Sequence, residues 1–109
     1  MSVVIKGNAI SLTRGDTLKV TVKIMQGEEE YIPAAGDTIR FALKKSIKDA
    51  EPLILKLIPV GTRLLTLDPE DTKSLEFGKY KYDIELTKEN GDVDTFIGPE
   101  TFVLTEEVH

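Results

Sequence analysis

Along residues 79–86 apolar and charged side chains alternate without a break. Tyr80, Tyr82, Ile84 and Leu86 are large and mostly apolar, while Lys79, Lys81, Asp83 and Glu85 are charged. A period of two over this length predicts a strand with one buried and one wet face. The pattern recurs in residues 17–25, where Leu18, Val20, Val22 and Ile24 alternate with Lys19, Thr21 and Lys23. In residues 37–45 it places Ile39, Phe41 and Leu43 inward. Shorter strands are predicted at residues 3–6, 9–13, 63–67, 93–97 and 101–105, and pairing can resume at 31–32 before Pro33. Residues 53–60 are apolar apart from Lys56, and their two faces do not separate, which predicts burial on both sides.

Turn chemistry divides these segments. Gly7-Asn8, Arg14-Gly15-Asp16, Gly36-Asp37, Gly61-Thr62 and Gly98-Pro99 all interrupt apolar runs, and residues 26–30 form a polar loop. Asn90-Gly91 between alternating segments is the strongest short hairpin signal. One helix is expected near residues 69–75. Asp68 can cap it, Pro69 suits its first position, and Glu70 and Asp71 complement its positive end. The sum is an all-β chain of about eight or nine strands, an antiparallel sandwich or small barrel. No amphipathic helix separates the strands, so a parallel α/β fold is not expected. The 109 residues suit a single domain spanning 1–109.

Composition narrows the range of partners. A net charge of −5 works against a nucleic-acid backbone, and the lysines are scattered rather than clustered. With no cysteine, disulfide frameworks and thiolate metal sites are excluded. No apolar run approaches the ~20 residues that span a bilayer. The segment Met1-Ser2-Val3-Val4-Ile5-Lys6 lacks the apolar region and cleavage pattern of a signal peptide, so a soluble chain is expected.

Candidate chemistry is sparse. Arg14-Gly15-Asp16 is a tripeptide that integrins grip in some extracellular proteins, because a tight turn presents a guanidinium and a carboxylate together. Its plainer reading, which the flanking strands favour, is a β-turn. Glu28, Glu29 and Glu30, and separately Asp92 and Asp94, could offer oxygens to calcium, but they match no known loop spacing and read as solvated hairpin tips. His109 is the only histidine and the last residue, so the common catalytic triads cannot be assembled. No paired acids converge as in a glycosidase, and no glycine-rich phosphate loop is present. The expectation is a protein that is not an enzyme and takes no cofactor and no metal. Tyr80 and Tyr82 could form a sugar-stacking platform, but their alternation with charged neighbours favours the core.

The spacing Gly78-x-Tyr80-x-Tyr82 resembles the tyrosine corner of immunoglobulin-type sandwiches, with Tyr82 where an antibody domain has its second cysteine. The chain departs from that family by several extra residues between Thr72 and Gly78, and by lacking the cysteines and the core tryptophan. The resemblance implies an immunoglobulin-like architecture, with Gly78, Tyr80 and Tyr82 as its structural corner and the Tyr80 hydroxyl bonded to backbone in or near the helix. A second resemblance covers most of the chain. It rests on Ile10-Ser11-Leu12-Thr13-Arg14-Gly15-Asp16-Thr17 and the run from Gly36 to Lys45. It continues through the helix ending at Leu75, Gly78-x-Tyr80-x-Tyr82-Asp83-Ile84-x-Leu86, Asn90-Gly91 and Phe102-Val103-Leu104. This order resembles small β domains of prophage tail genes in Gram-positive bacteria, notably the N-terminal domain of phage baseplate upper proteins.

That second resemblance implies a structural or assembly component of a phage or prophage tail. It would bind other tail and baseplate proteins or its own copies, and would be found in the virion or in the bacterial cytoplasm before assembly. A chain of this length would be a free-standing relative or accessory protein. The competing reading is an extracellular or cell-surface adhesion-type sandwich domain. For assembly, the candidate interface is a weakly charged N-terminal edge formed by Val3, Val4, Ile5, Ile10 and Leu12. The alternative is that its two halves complete the two sheets of one monomer.

Overall fold

The computed structural model describes residues 3–6, 9–26, 28–46 and 48–106. The Gly7-Asn8 break and His109 lie outside them. Within them the fold is all-β with one short helix. The strands are β1 (Val3–Lys6), β2 (Ala9–Thr13), β3 (Leu18–Thr21), β4 (Met25–Gln26), β5 (Glu29–Glu30), β6 (Thr38–Lys44), β7 (Ile54–Ile58), β8 (Leu64–Leu67), β9 (Gly78–Thr87) and β10 (Val93–Thr105), with α1 (Pro69–Thr72) between β8 and β9.

Six strands form one sheet in the order β1-β2-β10-β9-β6-β7, which curls into an open half-barrel. β3 and β8 make a two-stranded ribbon, and β4 and β5 a small hairpin. Every pair is antiparallel except β2 with β10, which run parallel from Ile10 opposite Phe102 to Thr13 opposite Thr105. The purely antiparallel arrangement expected from the sequence is thus broken at one place. The break falls between segments about ninety residues apart, where no local turn sets the strand direction.

The core lies between the concave face of the large sheet and the β3–β8 ribbon. Alternation places Ile39, Phe41 and Leu43 of β6 opposite Leu86, Ile84 and Tyr82 of β9, and Phe102 of β10 opposite Tyr80. The rings of Phe41 and Tyr82 lie 5.5 Å apart, and Tyr82 meets Phe102 edge-on at 6.4 Å. Leu18, Leu65 and Leu67 of the ribbon, with Val22 and Ile24, close the core from the other side. Val20, which the pattern places inward, is only partly buried.

The corner is built as its spacing implied. Tyr80 is 3% exposed, and its hydroxyl donates to the Glu76 carbonyl just beyond α1. Gly78 begins β9 at φ +140°, which few side chains tolerate. Lys45 Nζ lies 4.6 Å above the Tyr80 ring.

Four local expectations change. The helix is one turn ending at Thr72, rather than reaching residue 75. The Leu75 N–H donates to the Thr72 carbonyl three residues back, a tightening that ends the helix and turns the chain toward Gly78. The segment 17–25 does not stay one strand. After Thr21 the chain leaves β3. Met25, expected at the end of that strand, and Gln26, Glu29 and Glu30, expected in a loop, pair as the β4–β5 hairpin. Residues 93–105 form one strand instead of two, because Gly98-Pro99 is absorbed as a bulge opposite Asp83. A Cβ on Gly98 would lie 2.4 Å from the Asp83 Cβ, so only glycine fits there. The fourth change lies in β7, which is buried on one face only.

Two outcomes follow from this packing. Tyr80→Phe should lower unfolding free energy by about 1 kcal/mol, since it removes one partly buried hydrogen bond and leaves the ring in place. Chemical denaturation with unchanged slope checks it. Phe41→Ala, at the centre of the core, should cost about 3–5 kcal/mol. An unchanged melting temperature would contradict the packing described here.

Candidate binding face

The outer surface of the large sheet is where the sequence and the fold disagree most usefully. Residues 53–60 were expected to be buried on both sides. Instead only Ile54 and Ile58 of β7 are buried, while Leu53, Leu55 and Leu57 are 51%, 54% and 70% exposed. Lys56 explains the inversion. Its ammonium points to the inner side and pairs with Asp71 of α1 at 3.0 Å, alongside Ile54 and Ile58. Alternation then sends the neighbouring leucines outward. β7 is also the last strand of its sheet: among the described residues its ladder is with β6 alone, and β8 packs near it from the ribbon. Just before β7, at a bend, the exposed Leu53 donates its N–H to the Leu43 carbonyl at 2.7 Å, one residue off the register that pairs Leu43 with Ile54.

Moving inward across the same face, Arg40 lies opposite Leu57 and Ala42 opposite Leu55. On β9, Glu85 faces Arg40 and Asp83 faces Ala42. The Arg40 guanidinium is bonded to the Glu85 carboxylate. Because Ala42 is small, the surface dips there. Two shallow depressions meet at Ala42, Lys44 and Asp83, one bounded by Pro99 of the β10 bulge and the other by Pro52 and Leu55. The face is therefore an apolar ridge beside a charged trough.

Asp83 sits at the floor of that trough. Partial burial, followed by the nearby Glu85 charge, holds its carboxyl above the ordinary range, against the pull of Lys44 and Arg40. Asp37 shows the opposite behaviour at the far end of the sheet. Its carboxylate accepts hydrogen bonds from the Tyr31 hydroxyl at 2.6 Å and the backbone N–H groups of Ala34 and Glu89 at 3.0 and 3.1 Å, which hold its carboxyl below the ordinary range. Asp37 ties two loops together, whereas Asp83 is a carboxylate that the fold tolerates.

The residues singled out from sequence separate. Gly78, Tyr80 and Tyr82 belong to the interior, where burial pushes the Tyr82 phenol up to about 12. Ile10 and Leu12 are also core, at 5% and 0% exposure, because β2 lies between β1 and β10. They cannot form an exposed edge, which corrects that part of the expected interface. Val3, Val4 and Ile5 lie in β1, the free edge at the other side of the sheet. Both halves of the N-terminal segment thus join one sheet rather than completing two.

Arg14-Gly15-Asp16 forms a turn packed against the helix end. Gly15 adopts φ +90°, the Asp16 N–H donates to Thr13, and the Arg14 guanidinium lies 4.2 Å over the Phe77 ring. Glu30 pairs with Arg63 at 2.8 Å. Among the described residues, no group of three or more histidine, cysteine, aspartate or glutamate side chains could hold a metal ion, and no helix is long and apolar enough to cross a membrane.

The outward leucines are hidden in the sequence because residues 53–60 are apolar on both faces, and only the Lys56–Asp71 pair marks which face is inner. Compared with family models, with curated proteins and with solved structures, the chain matches none.

The two carboxylates give opposite pH signatures. Asp37, with a lowered pKa, contributes stability that is present above its unfolded pKa and lost as pH falls through its folded pKa. Asp83, with a raised pKa, carries a penalty that is present above its folded pKa and vanishes below its unfolded one. Carboxyl titration by NMR should show Asp37 below and Asp83 above the ordinary value. Asp83→Asn should raise the melting temperature at neutral pH, and the gain should disappear in acid.

Proposed function

We propose that this chain is a non-catalytic binding module that serves as an assembly component of a phage or prophage tail. The observation that carries the binding part is the group Leu55 and Leu57 on the edge strand β7 with Leu53 at the bend before it, all left exposed. An apolar strip flanked by charged positions is the composition of a protein-docking surface, with an apolar centre and a polar rim. The charged groups beside it are largely engaged with one another, as Arg40 is with Glu85, and this favours recognition over chemistry.

The tail assignment rests on the order of motifs that resembles prophage tail domains. The finer fold reading, an immunoglobulin-like sandwich, is part of the same proposal. The Tyr80 corner and the ribbon packed over the large sheet support it, while the curl of that sheet departs from it. The partners are other tail or baseplate proteins or further copies of the chain, with nucleic acid disfavoured by the charge of −5.

Induction of a lysogen carrying the gene, followed by mass spectrometry of gradient-purified particles, tests the assignment. The chain should sediment with tails at constant stoichiometry. Recovery from the surface of the producing cells instead would overturn the tail reading in favour of adhesion.

A further inference from the structure

We infer that the occupant of the β7 edge is a second copy of this chain, joined by antiparallel pairing of β7 with its counterpart about a two-fold axis through Leu55. The inference rests on the reading of the chain as an assembly module and names one partner of that module. Its first ground is the lack of protection at the edge. Natural edge strands usually carry outward charge, proline or a bulge that discourages pairing. β7 contains a single charged residue, Lys56, and that residue is turned inward to Asp71. Pro52, the bend at Leu53 and Pro59 all lie outside the strand, so Ile54–Ile58 itself carries neither proline nor bulge.

The second ground is self-complementarity. A two-fold interface must match a surface to itself. In the segment Leu53-Ile54-Leu55-Lys56-Leu57, rotation about Leu55 sets Leu55 against its own copy and Leu53 against Leu57 of the second chain. The exposed leucines of the two copies are then brought together, Leu55 within the strand and Leu53 at the bend that precedes it, and apolar cross-strand pairs stabilise sheets.

Charge selects the same register. An axis one residue later, through Lys56, would place two ammonium groups directly opposite each other, which is destabilising. With the axis at Leu55, each Lys56 faces Ile54 of the second chain and keeps its own Asp71 partner. The next positions on the outer face, Arg40 with Glu85 and Lys44 near Asp83, pair opposite charges. The two copies therefore approach through a locally balanced surface, although each chain carries −5. The two six-stranded sheets become continuous.

Because the chain has no cysteine, single cysteines report the register cleanly. Opposed Cα atoms in antiparallel strands lie ~4.5–5.5 Å apart, within disulfide reach. Leu55→Cys, at an exposed position, should give a disulfide-linked dimer under mild oxidation. Leu57→Cys should not, because its own copy lies four residues away along the strand, ~14 Å at ~3.4 Å per residue. Mixing Leu53→Cys with Leu57→Cys should restore the cross-link.

Leu55→Cys should link on the order of tenfold faster than Leu57→Cys, since pairing raises its effective concentration. Sedimentation of the unmodified chain over a concentration series should show a dimer, and Leu55→Lys should be monomeric with an unchanged circular dichroism spectrum. A chain that stays monomeric at high micromolar concentration overturns the inference. So does equal linking of Leu55→Cys and Leu57→Cys, or a dimer that persists in Leu55→Lys. These results leave the tail assignment to the particle experiment, which does not depend on them.

Discussion

Strand β9 must satisfy two neighbours at once, and only one register does so. It pairs with β6 along one side and β10 along the other, while its alternate residues Tyr80, Tyr82, Ile84 and Leu86 fill the core. A slip of one residue would bury Lys79, Lys81, Asp83 and Glu85 together. The register is held at its start by the Tyr80 hydroxyl on the Glu76 carbonyl and by Gly78, whose backbone angle turns the chain from the segment after the helix into the strand. The position of the trough on the outer face is inherited from this register, since Asp83 and Glu85 project outward only because their neighbours are committed inward.

How much could be read beforehand depended on how many faces a segment shows to water. β6 and β9 each have one wet and one dry face, and their alternation was legible at once. The Asn90-Gly91 hairpin was legible for a local reason, with Gly91 at φ +95°. β7 was not legible, because its outer residues are as apolar as its inner ones. Only the Lys56–Asp71 pair, formed across fifteen residues of sequence, distinguishes the two sides. The bulge at Gly98-Pro99 looked like an end to β10. A glycine and a proline stop most strands, and their accommodation here depends on what lies opposite, Asp83, which no local pattern reveals. The placement of β2 was hidden in the same way, since its parallel partner lies at the other end of the sequence.

The contrast between Asp37 and Asp83 shows two uses of a carboxylate. Asp37 receives three donors and fixes the loop before β6 to the hairpin after β9. Asp83 lies under a bulge and beside another acid, an arrangement that raises its pKa and works against folding at neutral pH. Under the proposed binding role, an outer-face carboxylate that costs stability is a candidate contact for a partner. It also places the charged trough beside the leucine ridge rather than apart from it, so that a partner on the ridge would have its orientation set by the trough.

The parallel pairing of β2 with β10 gives the domain a mechanical character. Tension applied through its two flanks would first peel β1 from β2, because those strands are antiparallel and their hydrogen bonds separate one after another. The load would then reach the β2–β10 pair lengthwise. In that geometry the bonds from Phe102 opposite Ile10 to Thr105 opposite Thr13 share the force and must fail together. A domain wired this way yields a short initial extension and then resists, behaving as a clamp along its long axis while remaining easy to open from the side.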